Sequence, residues 1–209
     1  METKIGLLGN PFSSLRALLV SLILVGVVTG GSLWIHRSDV PLGRARYSGF
    51  GFTVDYSSMM QVQEMGLIGG VATDSIGMMQ GTMQGRSLEQ FGVMWFKPNQ
   101  LPSHYDHSPQ DALKNVFDQI ASFGTVITNI GEEKSSTVNG HDVIYKTFDL
   151  EEEVIIPGVI GVWYCEDSDM FMALYLVHLP DLEQLDLHSP ELVNMWFNYL
   201  DTVNCHAAS

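Results

Sequence analysis

Six of the chain's eleven methionines, Met59, Met60, Met65, Met78, Met79 and Met83, fall within 25 residues. Thioether sulfur is a soft ligand suited to Cu(I), so such a run can supply a copper site outside the cell. Read as a strand, Met79 and Met83 share a face. Methionine also fills irregular cores and builds adaptable contact surfaces. The interrupting glycines (Gly66, Gly69, Gly70, Gly77, Gly81, Gly85) fit the contact surface, and the lack of a nearby Cys or His in sequence makes core filling the stronger reading.

His104-Tyr105-Asp106-His107 offers a second ligand set. Two imidazoles and a carboxylate suit Zn(II) or a similar ion, but four ligands are needed and the spacing by itself is that of a polar loop. His178, His188 and His206 have no sequence-derived place near it. Glu151-Glu152-Glu153 can draw a cation, although such runs are mostly solvated. The chain has no nucleophile elbow, HExxH motif, EF-hand loop, GxGxxG fingerprint or Walker loop. We therefore assign no catalytic residue, no cofactor and no firm metal ligand.

The remaining chemistry belongs to the two cysteines, Cys165 and Cys205. Cys165 closes an expected strand, and Cys205 follows the last expected helix. If that helix runs antiparallel to the strand at residues 170–178, its end returns to Cys165. A disulfide would then close the 40 residues between them and contribute about 3–4 kcal/mol in the chain-entropy model. An even cysteine number and an oxidising compartment agree with this. The alternative is a pair of unrelated buried thiols.

These groups must be positioned by a domain of alternating strand and helix signals. Phe50, Phe52, Val54 and Tyr56 alternate and should share one face of a half-buried strand. Residues 91–96 are apolar on both faces, as in a central strand, and Pro98 ends the run. Ser108 then caps a helix that begins at Pro109, with Leu113, Val116, Phe117 and Ile120 as its apolar stripe and Gly124 past its end. A strand is expected at 125–130. Asn139-Gly140 between 134–138 and 142–148 marks a two-residue hairpin. Residues 159–165 and 170–178 form another strand pair. A last helix starts at Ser189-Pro190, with Leu192, Met195, Trp196, Tyr199, Leu200 and Val203 as a stripe widened by Val193 and Phe197. The sum is an α+β fold, an antiparallel sheet flanked by helices.

This order resembles the PsbP-like family over roughly residues 48–204. The resemblance rests on the opening segment at 49–56, the helix at 108–123, Val138-Asn139-Gly140 before a strand, and the closing strand pair followed by the helix at 190–203. The family often follows its opening strand with Pro and then Trp, whereas here Tyr56 is followed by Ser57-Ser58-Met59. The resemblance implies an αβα sandwich that acts by binding rather than catalysis. The family includes an extrinsic photosystem subunit, a Ran-binding nuclear transport factor and secreted or anchored proteins. Fold membership does not choose among such roles.

Upstream of the domain lies a different composition. Residues 17–35 carry no charge and end in Leu33-Trp34-Ile35; as a helix of ~1.5 Å per residue they match a ~30 Å hydrocarbon core. The expected organisation is a short N-terminal segment (1–16), a transmembrane anchor (17–35), a linker (36–48) containing Pro41 and Gly43, and a globular domain (49–209). A cleaved signal peptide would use 17–28 as its apolar core and 29–32 as its cleavage region, but the apolar run resumes after that region. Basic residues flank both ends, Lys4 and Arg16 before and Arg37, Arg44 and Arg46 after, so the charge rule leaves the orientation open. The cysteines favour an extracytoplasmic domain.

Net charge is −14 overall, made of +3 in residues 1–46 and −17 in residues 47–209. So acidic a surface repels phosphates and anionic lipid heads, which excludes nucleic acid as a partner. The expected function is a single-pass, membrane-anchored, non-enzymatic binding or assembly domain for a protein partner or membrane complex. Metal binding through the Met-rich run or His104/His107 is the next reading. An enzyme whose site assembles from distant residues is the third.

Overall fold

A computed structural model describes residues 43–67, 71–84, 88–103, 108–122, 125–151, 154–179 and 190–206. The expected anchor at 17–35, His104, His107, Glu152 and Glu153 lie outside the described residues. Among the described residues no helix is long and apolar enough to cross a membrane.

The chain runs through β1 (Arg44–Gly49), β2 (Phe52–Ser57), β3 (Gln61–Met65), β4 (Ile76–Gln84), β5 (Leu88–Phe96) and α1 (Pro109–Ser122). It continues with β6 (Val126–Thr128), β7 (Lys134–Val138), β8 (His141–Glu151), β9 (Ile155–Cys165), β10 (Met170–Leu179) and α2 (Pro190–Leu200). β1 and β2 form a separate hairpin, while the other strands make one antiparallel sheet of order β3-β4-β5-β10-β9-β8-β6, with β7 also on β8.

β10 shows why the sheet is central. Met170, Met172, Leu174 and Leu176 enter one core, and Phe171, Ala173, Tyr175 and Val177 enter the other. Period-2 alternation with both faces apolar requires a layer on each side. α1 fills one side with Ala112, Leu113 and Val116. α2 and the β1–β2 hairpin fill the other with Leu192, Trp196, Leu200, Tyr47, Phe52 and Val54. The result is the expected αβα arrangement.

The helix start at Ser108 is as expected. Its Oγ accepts the Asp111 N–H at 3.1 Å and donates to the Asp111 carboxylate at 2.8 Å, satisfying an N–H that the helix leaves free. The Asn139-Gly140 turn is also as expected, with φ of 51° and 83°, the left-handed pair of a type I′ hairpin.

Two expectations change. Residues 44–48, read as linker, belong to β1, which pairs with β2 from Arg44↔Ser57 to Gly49↔Phe52. The hairpin places Phe50 at its turn with φ 50°, beside Gly51 at φ 79°, and so removes Phe50 from the strand assigned to it. Its ring still packs against the core that Phe52, Val54 and Tyr56 enter, stacked on Trp95 with centroids 4.5 Å apart. Bulky residues rarely adopt positive φ, so local propensity did not mark this turn. The Met-rich segment contributes β3 and β4 to the sheet margin beside β5, with Met79 and Met83 on one face as its strand reading expects.

Candidate functional site

The six methionines do not all converge. Met79 is fully buried in the core under α2, with Met60 buried and Met83 packed against the same core. Met78 packs on the opposite core, under α1. Met65 is half-buried and pairs with Met78 across β3–β4, and Met59 is 74% exposed in the turn after β2. Thioethers sent to both faces of a sheet cannot all share one ion. Met60 Sδ lies 3.6 Å from the Tyr199 hydroxyl oxygen, an ordinary packing contact for the residue.

Tyr199 belongs to a second polar set. Its hydroxyl donates to Glu89 Oε1 at 2.6 Å, and Glu89 Oε2 lies 4.0 Å from His178 Nδ1. Glu89 and His178 face each other across β5–β10. Burial, reinforced by the Glu89 carboxylate, pushes the Tyr199 phenol well above its ordinary range, so it remains a donor and ties α2 to β5. Likewise Asp55 accepts Arg46 Nε and Nη2 at 2.6 and 3.0 Å, closing β1 on β2.

The group with the most chemistry gathers at the far end of β9. Cys165 and Cys205 are joined in a disulfide, with Cα atoms 6.5 Å apart, as the helix-return argument expects. His141 and His206 sit beside it. One ligand atom from each of the four residues lies within 4.8 Å of the others. His141 Nε2 is 3.1 Å from His206 Nε2 and 3.3 Å from Cys205 Sγ. The two rings stack at 4.9 Å. Both cysteines are buried, His141 is half-buried and His206 is exposed.

Three segments position this corner. The Asn139-Gly140 turn delivers His141 as the first residue of β8. The end of β9 delivers Cys165. The segment after α2 delivers Cys205 and His206, and backbone bonds between Thr53 and Asn204 of 2.8 and 2.9 Å stitch it to β2. Asn139 Nδ2 adds bonds to the Asp201 and Val203 carbonyls at 3.2 and 3.1 Å. His206 Nδ1 bonds the Asp167 carboxylate, and the His141 ring bonds the backbone of Tyr164. Burial, and then the neighbouring His206, hold the His141 imidazole below its ordinary pKa, which favours the neutral ring with a free lone pair.

Asn139 therefore has two jobs: it adopts a left-handed backbone and caps carbonyls beyond α2. Asn139→Ala should cost about 1–3 kcal/mol of unfolding stability through lost bonds and an unfavourable φ. Asn139→Gly, which tolerates that φ, should recover part of the loss in denaturant titrations. Equal losses in the two variants would assign the whole effect to the side-chain bonds.

Sequence reasoning found the cysteine pair but missed His141, His206 and Asp167. The available signals were the Cys205-His206 dipeptide and the position of His141 immediately after the hairpin turn. Neither means anything until the β8–β9 register is known.

No protein-family model and no curated protein matches the chain. Among solved structures it is similar to the solution structure of cyanobacterial PsbP (CyanoP) from Synechocystis sp. PCC 6803. The TM-score is 0.52 at 11% identity, over 87% of this chain and 98% of that one. At that identity the likeness concerns the fold, which is PsbP-like, as the order of sequence elements implied.

Proposed function

We propose, taking the PsbP-like fold as premise, that the chain is a membrane-anchored, extracytoplasmic, non-enzymatic domain that binds a protein partner. The apolar run at 17–35 supports the anchor, and the Cys165–Cys205 disulfide supports an oxidising compartment. The binding role is the one the PsbP-like resemblance implies.

One observation carries the partner surface. β6 ends the sheet on the β8 side. Val126 of β6 and Ile155 of β9 are both in register with Glu151 of β8, so the three share a face. Val126, Ile130, Val154 and Ile155 are exposed by 53%, 51%, 46% and 42%. A strand margin with unpaired backbone groups and exposed β-branched side chains is a template for another strand. The fitting partner is a protein that offers an apolar strand to pair with β6.

A photo-crosslinking amino acid at Val126, activated in native membranes, should capture one discrete protein. Ile155→Lys should abolish that capture while leaving the fold intact. Capture unaffected by Ile155→Lys would move the partner surface elsewhere. External protease that fails to reach the domain in right-side-out vesicles, yet digests it in inverted ones, would overturn the extracytoplasmic address.

A further inference from the structure

The corner at Cys165 brings together more lone pairs than protons can satisfy. His206 donates Nδ1–H to Asp167, which leaves its Nε2 as an acceptor. That atom faces His141 Nε2, which also faces Cys205 Sγ. The bond from the His141 ring to the Tyr164 backbone takes its one N–H, so its Nε2 is an acceptor too and no ring proton lies between these neighbours. While the sulfurs are bonded to each other the mismatch is mild, because disulfide sulfur is a weak acceptor. Once they are thiolates, four strong donors face one point.

We propose that this corner has a second state: with the disulfide reduced, Cys165, Cys205, His141 and His206 form a tetrahedral site for Zn(II). Tetrahedral S₂N₂ coordination is characteristic of zinc. With Zn–N of ~2.0–2.1 Å and Zn–S of ~2.3 Å, the edges of such a tetrahedron are about 3.3 Å for N···N, 3.5 Å for S···N and 3.8 Å for S···S. The observed 3.1 Å between the imidazole nitrogens and 3.3 Å from Cys205 Sγ to His141 Nε2 lie within a few tenths of an ångström of those edges. The sulfurs must part from the ~2.0 Å of a disulfide by side-chain rotation, and the remaining ligand atoms, all within 4.8 Å of one another, must close on the ion.

The surroundings match what zinc ligands require. Asp167 orients His206 through Nδ1, and the Tyr164 backbone orients His141; such outer partners fix the tautomer and aim of a ligating ring. Two thiolates neutralise the ion, and the domain's −17 charge favours cation capture. The chemistry balances. A dithiol reductant gives two electrons and two protons to the disulfide, becoming a disulfide itself and leaving two thiols. Zn(II) then displaces both thiol protons to solution and forms two Zn–S and two Zn–N bonds.

The consequence is structural. The bond ties the segment after α2 to the end of β9, and the ion keeps that tie and adds the start of β8 through His141, so it persists in both redox states. The proposal stands apart from the partner surface at β6, which lies on different residues.

The test uses the full-length chain in detergent, reduced with a phosphine so that no added thiol competes for metal, and titrated with Co(II) as a spectroscopic probe and then with Zn(II). The reduced chain should take up one equivalent of Co(II) with tetrahedral ligand-field bands and a thiolate charge-transfer band, and Zn(II) should displace it. The disulfide form should show neither band. Asp167→Asn should weaken binding about 10–100-fold. His206→Ala should weaken it further, and its exposed position makes it the variant that keeps its fold. The proposal is overturned if the reduced chain gives no thiolate charge-transfer band. It is equally overturned if His206→Ala and His141→Ala bind as the wild type does, or if the disulfide form binds equally well.

Discussion

Trp196→Ala should lower the unfolding free energy by about 3–5 kcal/mol, the range for a fully buried large aromatic. The side chain is completely buried. Its indole N–H donates to the Leu174 carbonyl at 2.9 Å, a bond that fastens α2 to β10. Its ring lies over Gly161, where an added Cβ would strike it, and beside Tyr145 at 5.2 Å between centroids. Removing it opens a cavity between helix and sheet and deletes the bond to the Leu174 carbonyl. Trp196→Phe keeps part of the ring area and loses the bond, so its loss should be intermediate. Guanidinium unfolding followed by far-UV circular dichroism measures both. A loss below about 1 kcal/mol for the alanine variant would mean that α2 is not seated on this face.

The second large effect concerns the disulfide. Replacing both cysteines, as Cys165→Ala with Cys205→Ala, should cost about 3–4 kcal/mol by the chain-entropy argument for a 40-residue separation. The backbone bonds between Thr53 and Asn204 and the Asn139 bonds remain in place. The damage should therefore be local at first: hydrogen exchange should accelerate at 201–206 more than in β5 or β10. Reduction of the wild type in the presence of a metal chelator should give the same pattern. Uniform acceleration across the sheet would show instead that the bridge supports the whole core. Alkylation of both thiols in unreduced, denatured protein would remove the bridge itself from the account.

How much was legible beforehand depended on the range of each signal. The apolar stripe of α1, its Ser108 cap, the Pro190 helix start and the Asn139-Gly140 turn are all encoded within a few residues. Each appears in the structure where periodicity and φ preference put it. β5 and β10 were readable because a strand buried on both faces leaves a continuous apolar run. The cysteine pair followed once helix and strand directions were assumed. β1 reads as linker in the sequence because it is only six residues long, partly basic and joined to β2 by a turn with Phe50 at positive φ. β3 and β4 were hidden in a segment rich in Met and Gly, neither of which marks a strand.

The sequence alone therefore determined the fold class, the helices, the main hairpin and the acidic character of the domain, because propensity, capping and periodicity are local. Only tertiary structure decided that the six methionines do not all converge and that His141 and His206 meet the cysteines. Those outcomes depend on strand register and on where the chain returns after α2. A slip of one residue in a strand sends every side chain to the other face, and no local signal fixes register between strands separated by turns of unmarked geometry.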